Sequence, residues 1–220
     1  ERLSNYKSGT SIILENIDKF IGSNEEKSRN DFFKIFQENL SHHLQTFFHR
    51  FIESNDLNIS IGQNKIKPWD PFLIDYSEKL DQGYIGESKE IKFSSFILPH
   101  IDKIKEGDSD YENFSKIRDF GKGIKGWQHQ QGFYIYRNKR LIVNGEWLDN
   151  QTQEQHTLLA RIRVDIPNTY DHIWDLDIKK SLIIPKGDIK NELNYLAREA
   201  KSRANEVYRY RGKKISNRNK

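Results

Sequence analysis

Two adjacent lysines, Lys179 and Lys180, follow a predicted short strand at residues 174–178. The run Trp-Asp-Leu-Asp-Ile places Asp175 and Asp177 on that strand, just before the two lysines. A lysine ammonium is a compact charge that can bind a phosphate group. Exposed lysines are also common on protein surfaces, so a solvated charge pair is the alternative interpretation.

The basic C-terminal segment is a second candidate for chemistry. Nine lysines and arginines lie between residues 198 and 220 against two glutamates, which gives that segment a net charge of +7. The whole chain carries +4, so residues 1–197 carry −3. Tyr208 and Tyr210 lie among these arginines. A polyanion such as nucleic acid is one partner that this pattern favours, and a solvated helix face with a frayed tail is the other interpretation.

Two further constellations are less specific. Residues 119–123, Asp-Phe-Gly-Lys-Gly, match the D-x-G-x-G pattern of a nucleotide pocket, but a charged segment precedes them instead of a buried strand. A plain glycine loop is therefore favoured there. Asp81, Glu90 and Lys92 have the composition of a Mg²⁺-dependent nuclease core. Charges on the solvent face of a strand produce the same pattern, which is the favoured interpretation.

Metal and thiol chemistry have little support in the sequence. His42, His43 and His49 lie on one predicted helix without the four-residue spacing that favours metal binding, and we interpret them as solvated or at the edge of the core. The chain has no cysteine, which excludes disulfides, thiolate metal sites and cysteine nucleophiles.

Hydrophobic periodicity predicts the elements that position these residues. Apolar residues at steps of three and four predict a long helix from about residue 24 to 54 and another from about 187 to 210. A rigid corner is predicted at residues 69–72, and a loop or short helix at 100–126. Alternation and short apolar runs predict strands at residues 11–14, 57–61, 65–67, 90–98, 132–136, 140–143, 158–166 and 174–178. This order of elements predicts an α+β fold with helices packed against one face of an antiparallel or mixed sheet.

The composition is polar but compatible with a folded core. The 220 residues have a mean hydropathy of −0.86, yet they include 13 Phe, 10 Tyr and 4 Trp, which argues against wholesale disorder. No apolar run approaches the roughly 20 residues that span a bilayer, so we expect a cytoplasmic protein with no membrane partner. The chain begins at Glu1 and contains no methionine. We therefore expect it to be part of a longer protein with catalytic machinery upstream.

Three segments resemble the GHKL ATPases, a superfamily that includes gyrase, MutL-type and microrchidia-type proteins and the ninety-kilodalton heat-shock chaperone. Residues 132–142 resemble the aromatic hairpin that opens the second domain of MutL-type and microrchidia-type members. Residues 8–13, Ser-Gly-Thr-Ser-Ile-Ile, resemble the Gly-Thr strand that closes the ATP-binding domain. Residues 163–167, followed by 174–180, resemble the segment that delivers the transducer lysine to the γ-phosphate of ATP.

A finer resemblance points to the bacterial microrchidia-like ATPases, which are often encoded beside restriction and phage-defence genes. It lies in the patterns at residues 48–51, 59–72 and 131–132. The chain departs from the family in two ways. It lacks the Glu/Asn helix and the glycine-rich lid of the nucleotide pocket, and Ile178-Lys179 replaces the His-Pro element that precedes the lysine in MutL-type proteins.

The resemblance implies roles for particular residues. Lys180, or else Lys179, contacts the γ-phosphate, Gln131 lines the interdomain face, and Thr10 supports the last strand of the nucleotide domain. ATP and Mg²⁺ are the implied cofactors of the full-length protein, which dimerises on binding ATP and acts on DNA. The resemblance and the basic charge assign phosphate contacts with DNA to Arg137, Lys139, Arg140, Arg203, Arg209, Arg211, Lys213 and Lys214.

The implied organisation has three parts. Residues 1–55 are the end of the ATPase domain with its long connecting helix, and 56–197 are a transducer domain with the fold named after the fifth protein of the small ribosomal subunit. Residues 198–220 are the basic helix and tail. Two other hypotheses remain, a nucleotide-independent module that binds nucleic acid or protein, and the Mg²⁺ nuclease.

Overall fold

The structure is a computed structural model that describes residues 8–13, 26–100, 126–148, 152–170 and 187–210. The chain divides into two compact units, residues 1–40 and 41–220. In the first unit, residues 8–13 form neither helix nor strand, and Ile12 and Ile13 are 80% and 77% exposed. The predicted buried strand is therefore wrong over residues 11–13. A buried strand needs a hydrogen-bonded neighbour and a covering layer, and a short apolar run specifies neither.

The long helix is confirmed as α1, Glu26–Glu53. Asn55, just beyond its end, has a left-handed φ of 58°. The backbone N–H groups of Asp56 and Leu57 both donate to the carbonyl of Phe51, which satisfies the last turn. The polar residues at 54–56 thus end the helix where the sequence predicts.

A short hairpin and a corner follow α1. Strands β1, Ser60–Ile61, and β2, Asn64–Lys65, pair antiparallel as predicted, over fewer residues than the pattern indicated. In the corner, the Asp70 carboxylate accepts hydrogen bonds from the backbone N–H groups of Phe72 and Ile74, each at 2.9 Å. This arrangement turns the chain so that Trp69 and Phe72 are both buried at 3% exposure.

In the described part of the chain, the main sheet has five strands in the order β3-β4-β7-β5-β6. All neighbours are antiparallel except β5 and β7, which are parallel, so the sheet is mixed and the predicted α+β class is confirmed. Asn138 and Lys139 join β5 to β6 with φ values of 48° and 67°, the positive values of a tight two-residue hairpin turn. The strands are β3 Glu78–Ile85, β4 Ile91–Ile97, β5 Gly132–Arg137, β6 Arg140–Glu146 and β7 Ala160–Ile166.

The other predicted helix is confirmed as α2, Asp188–Arg209, which packs on one face of this sheet. It runs without a break through residues 197 and 198, where the sequence suggested a boundary. Its buried residues join those of alternate strand positions in one large core. The Glu192 carboxylate also accepts a hydrogen bond from the backbone N–H of Gly86, in the turn between β3 and β4, at 2.9 Å.

The opposite face of the sheet is also covered, which corrects the expectation of helices on one face only. Residues from the end of α1 and from the 69–72 corner pack there against Phe96, Tyr134 and Tyr136. The reason is that the strands carry large side chains at both alternations: β5 is buried at every position from Gly132 to Tyr136.

No helix in the described part of the chain is long and apolar enough to cross a membrane. The predicted strand at 174–178 and the D-x-G-x-G segment at 119–123 lie outside the described residues, as does nearly all of the predicted loop at 100–126.

Candidate functional site

The predicted phosphate-binding lysines, Lys179 and Lys180, lie outside the described residues. The structure does describe what flanks them. Before them, β7 ends at Ile166 and a short helical turn follows at Asn168–Tyr170. After them, α2 begins at Asp188. Since β7 lies between β4 and β5 and α2 packs on the same sheet, both flanks of the lysine segment are fixed to one scaffold.

Thr10 is exposed and lies outside any strand in the described residues.

Gln131 is fully buried at 0% exposure. Its Nε2 donates to the carbonyls of Gln128 and Glu154, and its Oε1 accepts hydrogen bonds from Trp147 Nε1 at 3.0 Å and Thr157 Oγ1 at 2.6 Å. The amide therefore ties β6 to the segments before β5 and β7, and its hydrogen-bonding capacity is used inside the fold.

Two of the predicted DNA contacts are engaged in ion pairs. Lys139 Nζ lies 2.6 Å from the Asp56 carboxylate, which holds the pKa of that exposed carboxyl below its usual range. Arg203 binds Glu78 through both Nε and Nη2, at 3.0 and 2.9 Å, and Glu206 through Nη1 at 2.7 Å. These carboxylates raise the pKa of Arg203, and they already occupy its donors.

The other predicted contacts are distributed over the surface. Arg209, near the end of α2, is exposed and has no ion pair with any residue in the described ranges. Arg140 is exposed and lies over the ring of Phe48, 5.8 Å from its centroid. Arg137 is half-buried and has a partner within the chain. Arg211, Lys213 and Lys214 lie outside the described residues.

The nuclease constellation does not come together. Asp81 pairs with Ser95 in the sheet, whereas Lys92 pairs with Tyr84, three residues further along β3. That separation is roughly 10 Å along a strand. Within the residues that the structure describes, no group of three or more His, Asp or Glu side chains could hold a metal ion.

Sequence reasoning missed a polar layer of buried and half-buried residues on the face of the sheet that α1 covers. We call it the tyrosine–arginine layer, and its members are His49, Arg50, Tyr134, Tyr136, Arg161, Arg163 and Asp165. The alternation along β7 places Arg161, Arg163 and Asp165 on one face of the strand, but it does not show what covers that face. The aromatic residues of β5 at the same alternation were the signal that this face is covered.

Contacts in this layer join α1 to the sheet. Arg50 forms an ion pair with Asp165 and lies over the Tyr136 ring, 4.7 Å from its centroid. Tyr136 Oη lies 3.0 Å from His49 Nε2. Burial raises the pKa of Tyr136 well above its usual value, so its hydroxyl stays neutral at physiological pH and can act as a hydrogen-bond donor.

Arg163 is held by aromatic and polar groups together. Its guanidinium lies over Phe72 and Phe96, 5.8 and 5.7 Å from the ring centroids, and its Nε is 3.7 Å from Asp165. Such stacking suits the flat, weakly hydrated guanidinium group better than it would suit lysine. The layer thus joins the last turns of α1 to strands β5 and β7, so that the three elements form one body.

Comparison of the chain with protein-family models, with curated proteins and with solved structures gives no match.

Proposed function

We propose that this chain is the transducer region of an ATP-dependent GHKL-type ATPase that acts on DNA, of the microrchidia-like or MutL-like kind. The observation that carries the proposal is the anchoring of the lysine segment. Residues 171–186 connect a central strand of the sheet, β7, to a helix that packs on the same sheet, α2. The resemblance of residues 132–142 and 163–180 to the GHKL family supplies the identity of the ligand, the γ-phosphate of ATP.

This anchoring would convert nucleotide state into movement of a whole domain. A lysine ammonium can meet a γ-phosphate, and it loses that partner when only ADP remains. Both ends of the segment that carries the lysine are joined to the sheet. When the lysine gains or loses its contact with the γ-phosphate, the whole sheet would therefore move as a rigid body. Hydrolysis itself, with Mg²⁺ and an upstream glutamate, would belong to the nucleotide domain of the full-length protein, and the ATP-bound form would be a dimer.

The tyrosine–arginine layer supports this reading. The chain enters the sheet domain through α1, and the ion pair of Arg50 with Asp165 and the contact of His49 with Tyr136 fix the end of that helix to β7 and β5. A transducer requires such a stiff joint, because a loosely attached helix would absorb a movement instead of transmitting it.

The test is Lys180→Ala in the complete natural polypeptide. We expect ATP hydrolysis to fall at least tenfold while the fold stays intact, since the variant loses the cation that meets the γ-phosphate. Steady-state ATPase rates and circular dichroism measure the two properties. Lys179→Ala shows which of the two lysines carries the effect, and Lys67→Ala, at an exposed position in the same unit, is the matched control.

Unchanged hydrolysis in both Lys179→Ala and Lys180→Ala would contradict the proposal. It would instead favour a module that binds nucleic acid or protein without nucleotide. An ATP-dependent shift from monomer to dimer, followed by analytical ultracentrifugation, gives an independent readout of the same proposal.

For the DNA contact, the structure separates the exposed Arg209 from the paired Lys139 and Arg203. We expect duplex DNA to bind with an affinity that falls steeply with salt. Arg209→Ala should weaken binding across sequences and reduce the slope of log K against log salt by about 1. Lys139→Ala, which removes a lysine already paired with Asp56, is the control and should change the slope less. Fluorescence anisotropy over a salt series measures this, and a salt-independent affinity would contradict it.

A further inference from the structure

Arg161 is a fully buried cation in β7, and two of its three side-chain nitrogens lack a hydrogen bond of normal geometry. It is 0% exposed. Its Nη1 donates to the backbone carbonyls of Leu158 at 2.7 Å and Ala160 at 2.9 Å. Among the described residues, no group makes a hydrogen bond of normal geometry with its Nε or Nη2, and no carboxylate forms an ion pair with it. Leaving a buried charge without a counter-charge is costly, so this arrangement calls for a missing partner.

The two unused donors lie on the same edge of the guanidinium group. In arginine, the Nε–H and one Nη2–H point the same way and form the fork that binds two oxygens of a carboxylate or phosphate in parallel. The two carbonyl bonds to Nη1 hold the group from its other end, so the fork is already oriented. Both nitrogens that lack a bond of normal geometry therefore lie on one recognition edge.

The surroundings of this fork are neutral and aromatic. The guanidinium carbon of Arg161 lies over the Trp127 ring, 5.9 Å from the ring centroid. Tyr134 is fully buried and its hydroxyl donates to Gln130. The Tyr134 oxygen is also a close polar neighbour of the Arg161 guanidinium and partly offsets the lowering of the arginine's pKa by burial. Burial raises the pKa of that phenol, so it brings no negative charge. Within the described ranges, no carboxylate therefore compensates the buried positive charge of Arg161.

We propose that Arg161 is a binding site for an oxyanion that presents two oxygens to the Nε and Nη2 edge, a carboxylate or a phosphate group. The ligand would form two charge-assisted hydrogen bonds and neutralise the buried charge. This site differs from the Lys179–Lys180 segment, and it does not depend on the function proposed above.

Entry would pass through the short helical turn Trp127–Gln130, which carries the covering indole. Gly126 precedes this turn with a φ of 76°, a conformation that glycine adopts without strain. Exposed contacts join the turn to Gln153: Gln128 Nε2 donates to its carbonyl at 3.0 Å, and His129 Nδ1 lies 2.7 Å from its Oε1. Uncovering the fork would require the turn to move about Gly126 and to break these contacts together with the buried hydrogen bonds from Gln131 to Gln128 and from Tyr134 to Gln130.

The experiment follows the arginine Nε–H signals of the full chain by ¹H–¹⁵N NMR during separate titrations with inorganic phosphate and acetate at constant ionic strength. We expect a saturable shift of the Arg161 signal with at least one of the two anions, and the responding anion identifies the chemistry preferred. The Arg203 signal is the internal control, because its Nε already donates to Glu78.

Arg161→Lys assigns the signal and tests the fork, because lysine keeps the charge but loses the paired donors. We expect it to weaken anion binding by about tenfold, which corresponds to the loss of one good hydrogen bond to a charged group. If that variant does not fold, the wild-type titrations decide alone. An Arg161 signal that fails to move with either anion, or that moves only as the exposed Arg198 and Arg209 signals do, would overturn the proposal.

Discussion

Gly132→Ala is expected to lower the free energy of unfolding by about 4 kcal/mol, from backbone strain and steric overlap together. Gly132 begins β5 with a φ of 109°, a value that residues with a side chain rarely adopt. A methyl group there would lie 2.7 Å from both the carbonyl carbon and oxygen of Glu146 and 3.0 Å from the nitrogen of Trp147. All three are backbone atoms of the paired strand β6 or its end, so relief requires the hairpin to move.

Urea denaturation of the purified chain measures this effect. Gly62→Ala is the matched control, since Gly62 also has a positive φ, 60°, but has no atom within 4 Å of an added methyl group. Gly62→Ala should lower the free energy of unfolding only by the conformational strain at the positive φ, about 1 kcal/mol. Equal losses in the two variants would show that the close approach of β5 to Glu146 does not determine the stability of the hairpin.

The second large effect is a loss of stability in mild acid caused by His49. This histidine is 4% exposed, and its Nδ1 lies 2.7 Å from the carbonyl oxygen of Thr46. That oxygen can only accept, so Nδ1 carries the hydrogen and Nε2 accepts the hydrogen bond from Tyr136. Burial, more than any other cause, lowers the pKa of His49 from 6.5 to about 4.

The sign of the effect follows from this depressed pKa. Below pH 6.5 the imidazole is protonated in the unfolded chain but stays neutral in the fold until about pH 4. The unfolded state binds more protons in this window, so stability falls as the pH falls through it. The contribution reaches about 3 kcal/mol at the acid end, at roughly 1.4 kcal/mol per pH unit.

The test is to measure the free energy of unfolding at several pH values between 7 and 4 for the wild type, His49→Gln and His42→Gln. His49→Gln should flatten the profile, because glutamine does not titrate, although its stability at pH 7 will be lower. His42→Gln removes an exposed imidazole from the same helix and should keep the slope of the wild type. Parallel profiles for the wild type and His49→Gln would contradict the assignment.

The elements with strong periodicity were predictable from the sequence. Helices α1 and α2, the β5–β6 hairpin and strands β4 and β7 lie within a few residues of their predicted bounds, because their apolar side chains repeat with the period of the element. Strand β3 was missed, since Glu78–Ile85 buries only Ile85 fully and its polar residues resemble a loop. Pairing with β4 makes it a strand, and that pairing is a property of the tertiary fold.

The candidate site was less predictable, since charge partners are distant in sequence. Arg203 contributes to a basic helix when charges are counted along the chain, but its partner Glu78 lies 125 residues away. In the same way, Arg161 alternates with apolar residues as a solvent-facing arginine would. Only the packing of Tyr134 and Trp127 against it reveals a buried cation.

Strand β3 has one further consequence, which concerns solubility. Among the strands that the structure describes, it is the outermost at one end of the sheet, with β4 as its neighbour. Terminal strands can recruit chains of other molecules into intermolecular β-structure. Alternating acidic and basic groups at Glu78, Lys79 and Asp81 make such recruitment unfavourable, because they would have to be desolvated and matched in register. The polar residues of β3 made the strand resemble a loop in the sequence. In the folded chain, the same residues disfavour aggregation through this edge.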